Sequence, residues 1–140
     1  MADSLEEFNK HQQDLTNRVT TFVQMLFVLS GGALSISIAV FTGPRSVSLS
    51  DHVAQVLSVS WWSLVASVAL LCSMLAAIIL RDYFFGERWR KYLDDPSVDP
   101  KGKQGWIEVL IIVLGLLGVL GFIIGFVGLA FVATALLKVA

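Results

Sequence analysis

Apolar residues run in three long blocks, at 19–44, 52–80 and 109–137, and none of these blocks contains Asp, Glu, Lys or Arg. Each exceeds the roughly 20 apolar residues with which a helix crosses a hydrocarbon core about 30 Å thick. In lipid every backbone polar group must be satisfied within the segment, so a helix is the form such a block takes. The pattern predicts an all-α, three-transmembrane-helix membrane protein. With its lead-in from Trp106 the third block is still too short for two crossings and a turn, which need roughly 40 residues. One long or tilted helix is expected there, in preference to a glycine-centred re-entrant hairpin.

The polar segments set the helix ends. Ser4-Leu5-Glu6-Glu7 has the spacing of a capping box. Leu5, Phe8, Gln12, Leu15, Val19 and Phe22 then step by three and four without an intervening Pro or Gly. One continuous helix is predicted from about Ser4 to about Thr42, with Gly43-Pro44 supplying a left-handed stop. Its apolar seam suits either a short coiled coil or an amphipathic helix on the membrane surface. Ser50-Asp51 offers the next N-cap. The second helix is expected to run past the membrane through Phe85, Trp89, Tyr92 and Leu93 to Asp94-Asp95-Pro96, with Glu87 placed to pair with Lys91. Two prolines and two glycines make 96–105 a turn-rich connector. The expected division is an amphipathic helix at 1–18 continuous with a first span at 19–43, and an outer loop at 44–56. A second span at 57–80 and a basic helix extension with its connector at 81–105 follow, then a glycine-rich third span at 106–138.

Lys and Arg orient the chain. Lys10 and Arg18 precede the first span, Arg45 lies in the first loop, and Lys138 ends the chain. The second loop holds Arg81, Arg88, Arg90, Lys91, Lys101 and Lys103. A cytoplasmic N-terminus puts eight of these ten inside, so the extensions are expected to be cytoplasmic and the C-terminus outside. The first apolar run is not expected to be a cleaved signal, because an acidic segment precedes it and it is too long for a signal core.

Composition agrees with lipid as the solvent. The 140 residues are 56% hydrophobic and 15% charged, with a formal net charge of −1 and a mean hydropathy of +0.76. These values exclude a disordered tail, a basic protein that wraps nucleic acid and an ordinary cytosolic enzyme. No duplex nucleic acid is expected as a partner. A single cysteine, Cys72, and two distant histidines, His11 and His52, offer no disulfide framework and no metal site. No nucleophile–base pair or phosphate loop stands out, so neither an enzyme nor a cofactor is expected. Glu108, two residues after Trp106, reads as a wet carboxylate at headgroup depth.

Between lipid tails, helices meet where small residues let backbones approach. Gly115, Gly118, Gly121, Gly125 and Gly128 share one side of the third span. Ala66, Ala69, Ser73 and Ala76 form a small seam on the second span, beside a hydroxyl seam of Ser60, Ser63 and Ser67. Gly31 and Ser35, in line with Gln24 and Ala39, form another on the first. Three helices have more small-residue face than one protomer easily covers, so homo-oligomerisation is expected. Ser60, Ser63, Ser67 and Gln24 are the candidates for a pore lining. Arg88, Trp89, Arg90, Lys91, Lys101 and Lys103 are the candidates for contact with lipid headgroups, an anionic ligand or a soluble cytoplasmic partner.

The segments Leu29-Ser30-Gly31-Gly32-Ala33-Leu34-Ser35-Ile36-Ser37-Ile38 and Ser60-Trp61-Trp62-Ser63-Leu64 resemble a pattern of small multi-pass bacterial inner-membrane proteins, some of which are membrane effectors in anti-phage defence. The resemblance covers spans one and two and implies an effector that forms a pore or disrupts the membrane once triggered. An oligomeric channel gated from the cytoplasm is therefore the leading expectation for function. A non-conducting accessory or anchoring subunit that recruits a soluble partner is the alternative. The two differ in where the serines sit: across an axis for a conduit, between helices of one protomer for a scaffold.

Overall fold

The computed structural model describes residues 2–43, 49–95, 97 and 105–137, all helix or short connecting chain with no strand among them. Three helices follow in order: α1 (Ala2–Thr42), α2 (Asp51–Asp94) and α3 (Gly105–Leu137). All three are long and apolar enough to cross a membrane. At about 1.5 Å per residue they reach about 62, 66 and 50 Å, well beyond a hydrocarbon core. The third apolar block is one uninterrupted helix and not a re-entrant hairpin.

Helix α1 begins two residues before Ser4. Ser4 is therefore inside the first turn and is not its cap; the side chains of Ser4 and Glu7 lie outside the described residues. At the other end Gly43 does not take the left-handed backbone expected of it. A Cβ there would instead come within 2.8 Å of the Ala39 carbonyl oxygen, so close approach is what a side chain at this bend must contend with. Ser50 is the N-cap of α2 with extended backbone but without a side-chain cap bond, and Asp95 is its C-cap. The Asp95 N–H donates to the Lys91 carbonyl at 2.9 Å. Pro44, Pro96, Lys101, Lys103 and Lys138 lie outside the described residues.

The chain divides into two compact units, Met1–Ser48 and Leu49–Ala140. The first is α1. Its least exposed described positions are Val23, Leu26, Ser30 and Ser37, spaced along one helical stripe. Thr20 and Thr21 donate their hydroxyls to the carbonyls of Thr16 and Asn17. Such back-bonding satisfies a polar side chain inside its own helix. Leu15, Val19 and Phe22 of the expected seam are exposed.

The second unit is an antiparallel hairpin of α2 and α3, and glycine is the reason it closes. A Cβ at Gly115 would meet Met74 Sδ at 2.8 Å, one at Gly118 would meet Leu71 at 2.8 Å, and one at Gly125 would meet Leu64 at 2.6 Å. One at Gly121 would lie 3.2 Å from the Ser63 carbonyl oxygen, and one at Gly128 would collide with the Ser60 hydroxyl. Each three- or four-residue step along α3 is answered by a three- or four-residue step back along α2, through Met74, Leu71, Ser67, Leu64 and Ser60. Large side chains fill the glycine notches. Leu64 and Leu71 are fully buried as a result.

Candidate functional site

The hydroxyl seam of α2 is the surface against which the α3 glycines close. Ser60 and Ser67 are buried. The Ser60 hydroxyl donates to the Val56 carbonyl at 2.7 Å within its own helix, and the Ser67 hydroxyl donates across the hairpin to the Gly118 carbonyl at 2.6 Å. Ser63 is partly buried, with its carbonyl oxygen facing Gly121. The serines expected to line a conduit thus sit between two helices of one chain, and two of their hydroxyls are spent on backbone carbonyls.

The other small seams remain open. Ala66, Ala69, Ser73 and Ala76 are exposed on α2, as are Gln24, Gly31, Ser35 and Ala39 on α1. The space where a Gly31 Cβ would sit has no atom within 4 Å. Ser73 returns its hydroxyl to the Ala69 carbonyl at 2.8 Å, so the α2 seam is smooth and presents no free donor of its own.

Near the start of α2 and the end of α3 an open groove of about 690 Å³ runs along the surface of the two helices. Its walls are Val56, Val59, Ile124, Val127 and Phe131, and His52 and Gln55 stand at one end. Sequence reasoning missed it, because its shape follows from the glycine register.

The opposite end of the hairpin carries the charge. Extending the register beyond Gly115 sets Gly105 beside about residue 84 of α2, so about ten residues of α2 project past the start of α3, or about 15 Å. Exposed aromatics gather at the point of departure: Tyr83, Phe84 and Phe85 on α2, Trp106 on α3. Beyond it Phe85, Trp89 and Tyr92 stack edge-to-face along one side, with ring centres 6.3 and 5.9 Å apart.

The described ions at this end of α2 are mostly matched. Arg81 pairs with Asp82 at 2.9 Å. Glu87 takes both Arg90 at 3.2 Å and Lys91 at 4.0 Å. The carboxylate of Asp95 accepts the Ser97 N–H at 3.0 Å. That bond, and a second from the Ser97 side chain, hold the Asp95 carboxyl below the usual aspartate range. Arg88 differs. Its Nη1 is buried without an acceptor, although the residue as a whole is partly exposed. Sequence inspection ranked Arg88, Arg90 and Lys91 together. The signal that separates them was present, since Glu87 has cations at both i+3 and i+4.

By length and composition the three helices are those of a multi-pass membrane protein. No family model matches the chain, and neither a curated protein nor a solved structure is similar to it.

Proposed function

We propose that the protein is a non-conducting anchor of the bacterial inner membrane. Its packed hairpin holds a basic, aromatic helix end at the cytoplasmic face, where that end recruits a soluble partner with an acidic surface. The observation that carries this reading is the burial of Ser60 and Ser67 between α2 and α3, because a channel built on these helices would need its hydroxyls in the lumen. The inner location of the overhang follows from the Lys and Arg distribution. The open seams on Ala66, Ala69, Ser73 and Ala76 and on Gly31 and Ser35 support homo-oligomerisation of such anchors by close helix approach. Planar-bilayer recording of the purified protein tests the reading: no conductance is expected, and discrete channel openings would refute it.

One observation favours a second reading. The face of α1 with Gln24, Gly31 and Ser35 is unburied, and on self-association it could line a conduit, giving a pore-type effector of the kind found in anti-phage defence. In that case conductance would appear and would change with Gln24→Leu but not with Ser67→Ala.

A further inference from the structure

Arg88 lies one helical turn, about 6 Å, beyond the aromatic level marked by Tyr83, Phe84 and Trp106. Exposed Tyr and Trp collect where hydrocarbon gives way to headgroups, so this places the Arg88 guanidinium at the depth of lipid phosphates. The described carboxylates nearest to it along α2 and its C-cap, Asp82, Glu87 and Asp95, are engaged. Asp82 holds Arg81, Glu87 holds Arg90 and Lys91, and Asp95 holds Ser97. A guanidinium nitrogen shut off from water and lacking an acceptor is costly. The residue as a whole is partly exposed, so a modest swing of the fork can meet an incoming anion. Arginine's planar fork matches phosphate oxygens two at a time, which a lysine cannot do.

We infer that Arg88 is the grip of a phosphate-binding site on the α2 overhang, filled by the headgroup of an anionic phospholipid or by free phosphate. Arg90 and Lys91, already held by Glu87, contribute only background charge. The site rests on the proposed insertion of the hairpin into a bilayer, but not on recruitment of a partner.

The test uses the full chain, reconstituted in equal parts phosphatidylglycerol and phosphatidylcholine, extracted in mild detergent and read by native mass spectrometry. The wild type is expected to retain phosphatidylglycerol in preference. Arg88→Gln should lower that retention several-fold without altering phosphatidylcholine, Arg88→Lys should restore part of it, and Arg90→Gln should leave it at the wild-type level. Circular dichroism checks that each variant stays helical. A parallel incubation with radiolabelled inorganic phosphate separates the sources. Label held by the wild type and lost in Arg88→Gln, without a headgroup preference, assigns the site to free phosphate; a headgroup preference without label assigns it to the lipid. Equal retention of both phosphatidylglycerol and label by wild type and Arg88→Gln overturns the inference, as does an equal loss in Arg90→Gln. Absence of all phospholipid and all label from the wild type would overturn it together with the membrane reading, whereas phospholipid held while neither it nor label depends on Arg88 overturns it alone.

Discussion

The Ser67 hydroxyl donates a 2.6 Å hydrogen bond to the carbonyl oxygen of Gly118 on the facing helix, fully shielded from solvent. It stands at the middle of the α2–α3 seam, between the notch that Leu71 fills and the one that Leu64 fills. A hydroxyl can reach a backbone carbonyl on another helix only where no side chain intervenes, which is what the α3 glycines provide. Ser67→Ala is expected to weaken the hairpin by about 0.6 kcal/mol, the average for such bonds within membranes, and to leave the helix register intact. Thermal unfolding in detergent measures it.

The glycines should respond to alanine according to what lies in front of them. At Gly118 and Gly125 a Cβ would press on Leu71 and Leu64 at 2.8 and 2.6 Å. Gly118→Ala and Gly125→Ala should each cost about 1–3 kcal/mol as overpacking. Gly31 has open space before it, so Gly31→Ala should stabilise α1 by about 0.5–1 kcal/mol. Helicity and melting temperature of the three variants, compared side by side, check the contrast.

Much of this arrangement is legible in the sequence, and the exceptions share a cause. The absence of charge from 19–44, 52–80 and 109–137 announces three helices, and the three-four rhythm of the glycines marks the packed face of α3. Which face of α2 meets that rhythm is harder to see. Ala66, Ala69, Ser73 and Ala76 look the natural choice under a small-to-small rule, yet α3 closes on Ser60, Leu64, Ser67, Leu71 and Met74. A glycine notch facing alanine leaves a void, whereas leucine fills it. The distinction depends on volumes across two helices, which no single-helix pattern contains. Arg88 is legible as a candidate for anion or lipid contact, and Glu87 with cations at i+3 and i+4 sets it apart from Arg90 and Lys91, but the burial of its Nη1 without an acceptor emerges only from the folded helix end.

The open alanine seam makes a prediction about assembly. Cys72 is exposed on α2 next to Ser73. If chains self-associate along Ala69, Ser73 and Ala76, copper–phenanthroline oxidation in membranes should yield a covalent dimer through Cys72. Ala69→Leu/Ala76→Leu should abolish that dimer. A product that is monomeric before and after oxidation would count against this interface.

The end of α2 should loosen in acid. The lowered Asp95 carboxyl favours the hydrogen-bonded Asp95–Ser97 turn at the C-cap wherever it is ionised. That contribution is complete above the usual aspartate pKa and is lost as pH falls through the depressed one. Asp95→Asn should remove the pH dependence. Carboxyl carbon shifts of Asp95, followed by NMR from neutral pH downward, give the titration directly.

The placement of Ser60 against Gly128 offers the most direct test of the packed, lumen-free hairpin. In a Cys72→Ala background, Ser60→Cys/Gly128→Cys should oxidise to a disulfide within one chain, seen as a faster-migrating monomer, and Ser60→Cys alone should give no dimer. Dimers cross-linked through Ser60→Cys, with no intrachain product in the double variant, would mean that the serines face one another between chains and would contradict the account.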